Sequence, residues 1–184
     1  MITNTVSRTR RDTVLAAARE LLEREGRASL TLRRLADALE IRAPSLYKHY
    51  RSKEELEAAL AAAGFEELGA ALAGARDLAE LARAYRAYAL AHPHLYRLMT
   101  EVRAAEGSEQ GAGASVVAAV GDPALARAAW AFAHGMVDLE LSGRLPAGDD
   151  LEAAWAAGIA AFAGTPAPPA WAGRIAVFRS FSVD

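Results

Sequence analysis

The chain has 184 residues, no cysteine and a formal charge of −2 at neutral pH, with 53% hydrophobic and 24% charged residues. A chain of this length buries roughly 70% of its unfolded surface, and the balance excludes intrinsic disorder. The absence of cysteine excludes disulfides, thiolate catalysis, thiol redox sensing and cysteine-ligated zinc. Alanine is abundant and β-branched runs are nearly absent, so an all-α fold is expected. No charge-free apolar run reaches the roughly 18 residues of a membrane span, and the start MITNTVSRTRRD lacks the apolar core of a signal peptide. A soluble cytoplasmic protein without membrane contact is the expectation.

The small net charge hides an asymmetry. Residues 1–53 hold 12 basic and 6 acidic side chains, a balance of +6, whereas residues 54–184 hold 9 and 17, a balance of −8. A basic head on an acidic body suits a protein whose N-terminal part meets phosphate. The polar start carries Arg8, Arg10 and Arg11, which reads either as an arm lying along phosphates or as a solvated terminus. A first helix is predicted from about Thr9 to Glu25, with Val14, Ala17, Ala18, Leu21 and Leu22 inward and Gly26 closing it. Leu32, Leu35, Ala36 and Leu39 then fall at i, i+3, i+4 and i+7, one face of a helix with Thr31 as its N-cap. Pro44 is tolerable only in a first turn, so the next helix starts near Ala43 and runs to about His49. Leu46 and Tyr50 face inward and leave Ser45, Tyr47, Lys48 and His49 outward. Two short helices joined by about four residues make a helix-turn-helix, and this outward set of hydroxyl, phenol, ammonium and imidazole suits a DNA major groove.

From Thr31 to Lys53 the chain resembles the DNA-binding domain of the TetR family of transcriptional regulators. Thr31, Ala36, Leu39, Leu46-Tyr47, His49-Tyr50 and Lys53 stand in the register of the family pattern, with Tyr50 in place of the usual Phe. Glu40 stands where the family has a glycine after the first helix, and Arg42 where a Ser or Thr often caps the second. The resemblance implies that Thr31, Arg33, Tyr47 and Lys53 meet backbone phosphates. Arg42, Ala43, Ser45 and Lys48 would lie nearer the base edges, with His49 on a phosphate or bracing the helix. The implied domain layout is a helix-turn-helix over 1–50, an effector-binding and dimerisation body over 51–164 and a tail over 165–184.

Ser52, followed by Glu54 and Glu55, opens a helix predicted to reach Ala73; in TetR-like proteins its counterpart links head to body. A further helix is predicted from Asp77 to Ala91, broken by His92-Pro93, and a short one from His94 to Arg103. Residues 104–114 are Gly-rich and read as a mobile loop or a poorly formed helix start, with a short helical turn over Ser115 to Val120. Asp122-Pro123 opens a long helix to Gly143 that is apolar nearly all round, which predicts burial on more than one side and a subunit interface on one of them. The motif WAFAHGMVDLELSGRL resembles the Trp-(x)n-His-Gly helix of a subgroup of TetR C-terminal domains. The last helix, Asp149 to Ala163, carries Leu151, Trp155, Ile159 and Phe162. Two such helices from each of two subunits can form a four-helix bundle.

The resemblance implies a small-molecule effector of unknown identity, with Tyr85, Tyr88, Tyr96, Met99, Trp130 and His134 as candidate pocket residues. Trp130, Val137, Leu141, Trp155, Ile159 and Phe162 are the candidates for a homodimer interface, and Gly135→Arg is expected to disrupt packing around the Trp130 helix. His92, His94 and His134 lack metal-ligand spacing, so neither a metal nor a cofactor is expected. The function expected is a ligand-responsive homodimeric repressor binding double-stranded DNA at a near-palindromic operator. The alternative is a helical-bundle enzyme or small-molecule carrier without DNA binding, although the chain holds no nucleophile elbow, Gly-rich phosphate loop or converging acid and base.

Overall fold

The computed structural model describes residues 10–102, 110–145 and 151–163. The expected arm over 1–9, most of the Gly-rich stretch and the 165–184 tail lie outside the described residues. Within them the order is α1 (Arg10–Glu25), a 3₁₀ turn (Arg27–Ser29), α2 (Leu32–Ala38), α3 (Ala43–Tyr47), α4 (Lys53–Leu72), α5 (Leu78–Ala91), α6 (Pro93–Glu101), α7 (Gln110–Val120), α8 (Pro123–Leu141) and α9 (Leu151–Ala163). No strand occurs among the described residues, and the fold is all-α.

The helix starts follow local chemistry. Thr31 Oγ1 accepts the Arg34 N–H, and Asp122 accepts the Leu125 N–H with proline following, each satisfying a donor that helix geometry orphans. Two helices share one device. Ser52 Oγ accepts the Glu55 N–H while Glu55 accepts the Arg51 N–H, and Asp77 accepts the Glu80 N–H while Glu80 accepts the Arg76 N–H. Arg-(Ser/Asp)-x-x-Glu thus opens both α4 and α5 as a reciprocal cap. Its arginine folds back as well: hydrogen bonds from Arg76 hold the Glu80 carboxyl down at about 2.

The chain divides into two compact units. The first comprises Met1–Gly64 with His92–Ala105, the second Phe65–Ala91 with Glu106–Asp184, so the division falls inside α4 and α6 belongs with the N-terminal helices. The first unit closes around Val14, Leu22, Leu30, Leu35, Leu46, Tyr50, Leu56 and Leu95, all fully buried. Gly64 lets α6 approach α4 closely, since a Cβ there would lie 2.6 Å from Met99 Sδ and 2.9 Å from Leu95 Cδ2. The start of α6 is held by α1: the Glu23 carboxylate accepts the N–H groups of Leu95 at 3.0 Å and His94 at 3.3 Å. His92, the formal N-cap, supplies no side-chain acceptor, and Glu23 takes that role from another helix.

In the second unit α7 packs on α5 and α8, and α9 on α5 and α8. Helix α7 begins at Gln110, so residues 110–114 take the second of the two expected forms, a helix start rather than a loop. Two glycines there cost about 1 kcal/mol each relative to alanine, and packing against α8 overrides that local preference. Phe132 fills the space a Cβ at Gly158 would need, edge-on to Trp155 at 5.7 Å and tilted against Phe162 at 5.8 Å. Arg86 binds Glu140 at 3.0 Å and also Glu152, with its guanidinium 5.6 Å from the centre of the Trp155 ring, and Trp155 Nε1 donates to Glu140. That cluster pins α5, α8 and α9 together with every buried polar group paired.

Candidate nucleic-acid interface

Helix α2 ends in the turn that presents α3. Leu39 caps it, the Glu40 N–H returns to the Asp37 carbonyl and the Ile41 N–H to the Ala36 carbonyl, with Glu40 at φ 53°. This is the two-bond C-terminal motif whose left-handed residue is usually glycine, so Glu40 holds the glycine conformation that its place in the pattern demands. Arg42, in extended backbone, then caps α3 without a side-chain bond, and Pro44 sits in the first turn. Helix α3 is shorter than expected: it stops at Tyr47, and Lys48 and His49 continue as turn, with the His49 and Tyr50 N–H groups both returning to the Leu46 carbonyl. One carbonyl serving two donors marks the end of the helix.

The expected inward and outward sets separate cleanly. Leu46 and Tyr50 have no exposed surface, whereas Tyr47 between them is 51% exposed. Burial raises the Tyr50 pKa, while the Arg11 guanidinium, 4.6 Å from its ring centre, pulls it back down. Arg33, Arg42, Ser45 and Lys48 are exposed, and Thr31, Ala43 and His49 are half-buried. Thr31 keeps its hydroxyl on the α2 cap.

Lys53 is placed differently from the expectation. Its ammonium donates to the Arg27 carbonyl at 3.1 Å and stands 3.5 Å from Glu57, a carboxylate that is itself 3% exposed. Arg27 binds both oxygens of Glu57 at 2.9 Å and Glu101 at 2.7 Å, and the Glu57 hydrogen bonds raise the arginine's pKa. Lys53 therefore closes a four-residue ion cluster that joins the 3₁₀ turn, α4 and α6. Sequence reading missed this because Arg27 and Glu101 lie 74 residues apart.

The second unit holds a small apolar cavity of about 20 Å³, lined by Leu72, Leu78, Leu81, Ala82, Tyr85, Val116, Ala129, Trp130, Ala133 and Ile159. Of the six expected pocket residues, Tyr85 and Trp130 line it. The others lie away from it: Tyr88 is buried with its hydroxyl donating to Glu67, and Tyr96 and Met99 are buried on α6 in the first unit. His134 stacks on Trp130 at 5.5 Å outside the lining, and burial lowers its pKa against the opposing charge of Asp138. Among the expected interface residues, Val137, Trp155 and Ile159 are buried in the protomer's own core, which corrects that half of the set. Trp130, Leu141 and Phe162 keep partly exposed surfaces. A Cβ at Gly135 meets nothing within 4 Å, so the packing expected to be disrupted there is not within the chain at that position.

A buried two-helix scaffold that holds a phenol, a serine and unpaired cations outward at a proline-started helix defines the helix-turn-helix class of DNA-binding proteins. Residues 14–60 match the family described as bacterial regulatory proteins, tetR family, and residues 78–162 match the tetracyclin repressor-like C-terminal domain. The chain belongs to the TetR family and is a DNA-binding transcriptional regulator. An uncharacterized HTH-type transcriptional regulator of Mycobacterium tuberculosis is 34% identical over 163 residues, 77% of this chain and 73% of that protein. The tetracycline repressor protein class G of Vibrio anguillarum is 46% identical over 55 residues, 30% of this chain and 26% of that protein. The crystal structure of a TetR variant from Acinetobacter baumannii AYE in complex with minocycline superposes with a TM-score of 0.65 at 27% identity, covering 84% of this chain and 94% of that one. Membership supports the DNA-binding regulator, the first of the two readings that the sequence offered.

Proposed function

We propose that the protein is a homodimeric repressor that binds a near-palindromic operator through α2, the turn and α3, and releases it when a small molecule enters the second unit. The observation that carries this reading is Tyr47, an aromatic ring half exposed between two residues with no exposed surface. A ring held out in this way has no packing role and is free to meet a phosphate or a base edge. Arg42 and Lys48 at the two ends of α3 supply charge, and Ser45 supplies a hydroxyl. Dimer symmetry would place two such helices in successive major grooves, about 34–36 Å or somewhat more apart. The apolar cavity beside Tyr85 and Trp130 has room for about one water at 20 Å³, so an effector would enter only as the helices around it part.

Selection from a pool of random duplexes, followed by mobility shift, tests the reading. The expected outcome is an inverted repeat bound tightly by the parent chain. Tyr47→Ala should weaken binding by about tenfold or more, a loss equivalent to roughly 1–3 kcal/mol. Equal binding by the parent and Tyr47→Ala, or no enriched repeat, would overturn it.

A further inference from the structure

The basic head carries more positive charge than it can offer to DNA. Of its cations within the described residues, Arg11, Arg19, Arg24, Arg27, Arg34, Arg51 and Lys53 each stand within 4.0 Å of a carboxylate. Arg34, on the helix-turn-helix itself, is held by Glu25 at 2.5 Å. Arg10, Arg33, Arg42 and Lys48 have no such partner among the described residues, and all four are exposed. Arg33 lies in the first turn of α2, Arg42 caps α3 and Lys48 follows it, and α2 packs on α3. The Arg11 guanidinium over Tyr50 brings the first turn of α1, and with it Arg10, to the segment leaving α3.

We infer that Arg10, Arg33, Arg42 and Lys48 are the described cations whose phosphate contacts make DNA binding salt-dependent, and that Lys53 is a structural residue. This rests on the head being the DNA-binding surface. Counterion release follows positive charge brought to the phosphates, and a cation already neutralised by its own protein brings little: moving it strands a carboxylate beside the polyanion. The cluster of Lys53, Arg27, Glu57 and Glu101 sums to zero charge, and moving Lys53 would also leave the Arg27 carbonyl without its 3.1 Å donor. The position that the family resemblance assigns to a phosphate is thus held in this chain by an internal contact, and Arg10 joins the surface instead.

The test is the slope of log affinity against log salt for a mixed-sequence duplex of about 40 base pairs between roughly 50 and 200 mM KCl, where binding is electrostatic. Arg10→Ala, Arg33→Ala, Arg42→Ala and Lys48→Ala should each make the slope shallower by about 0.9 per bound head. Lys53→Met should change it by less than any of these four, because it removes no phosphate contact and Arg27 still holds Glu57 and Glu101. Thermal melts establish that each variant is folded, and Lys53→Gln, which keeps a donor for the Arg27 carbonyl, replaces Lys53→Met if the latter does not fold. A slope lost at Lys53 as large as that at Arg42, or none lost at Arg10, overturns the inference. If all five variants bind as the parent does, the helix-turn-helix reading itself has failed.

Discussion

Glu40 and Gly143 occupy the same place in the same motif and show what one side chain costs. At the end of α8 the Gly143 N–H returns to the Glu140 carbonyl and the Arg144 N–H to the Leu139 carbonyl, with Gly143 at φ 67°. The bonds after α2 follow the same spacing around Glu40 at φ 53°. A non-glycine residue pays a steric penalty there, partly offset because glycine loses more freedom on folding. Glu40→Gly should therefore stabilise the protein by about 0.5–1 kcal/mol, seen as a higher denaturant midpoint with an unchanged slope. A lower midpoint would show that the Glu40 side chain holds the turn through contacts outweighing its backbone strain.

Helices whose limits are written in neighbouring residues were legible: Thr31, Pro44, Ser52 and Asp122 each marked a start that the structure places within a residue or two. The limits set by distant partners were not. The N-terminus of α6 depends on Glu23, which lies 71 residues before His94, and α7 begins among glycines because α8 packs on it. The candidate site divides in the same way, since the outward face of α3 followed from a two-residue pattern, and Glu57 at i+4 from Lys53 is a local partner, whereas the Arg27 carbonyl that the Lys53 ammonium also meets lies 26 residues away. Because Glu23 supplies both N–H acceptors at the first turn of α6, Glu23→Ala should cost about 1–2 kcal/mol. Amide exchange at His94 and Leu95 should accelerate before the rest of α6, and Glu23→Gln, which retains an acceptor, should lose less. Uniform exchange across α6 in Glu23→Ala would show that the Gly64–Met99 packing alone fixes this helix.

For the whole molecule, composition separated a basic head from an acidic body, but it did not say which side of α8 would meet a second chain in the proposed dimer. That helix is apolar around most of its circumference, and sequence pattern alone cannot distinguish Val137, fully buried in the protomer, from Leu141, which keeps exposed surface. Gly135 offers a clean probe because the space beside it is open within the chain. An arginine there removes a helix-interior glycine, a gain of roughly 0.5–1 kcal/mol in the isolated helix, so the protomer has no internal reason to unfold. A bulky charged side chain against a partner helix is a different matter, since an unpaired charge in an apolar interface must be desolvated. Gly135→Arg should keep its far-ultraviolet helical signal while its mass by light scattering falls from dimer to monomer, and operator binding should weaken as the two heads lose their linkage. A dimer of unchanged stability would place the subunit contact away from this face of α8, leaving the exposed surfaces of Leu141 and Phe162 to define it.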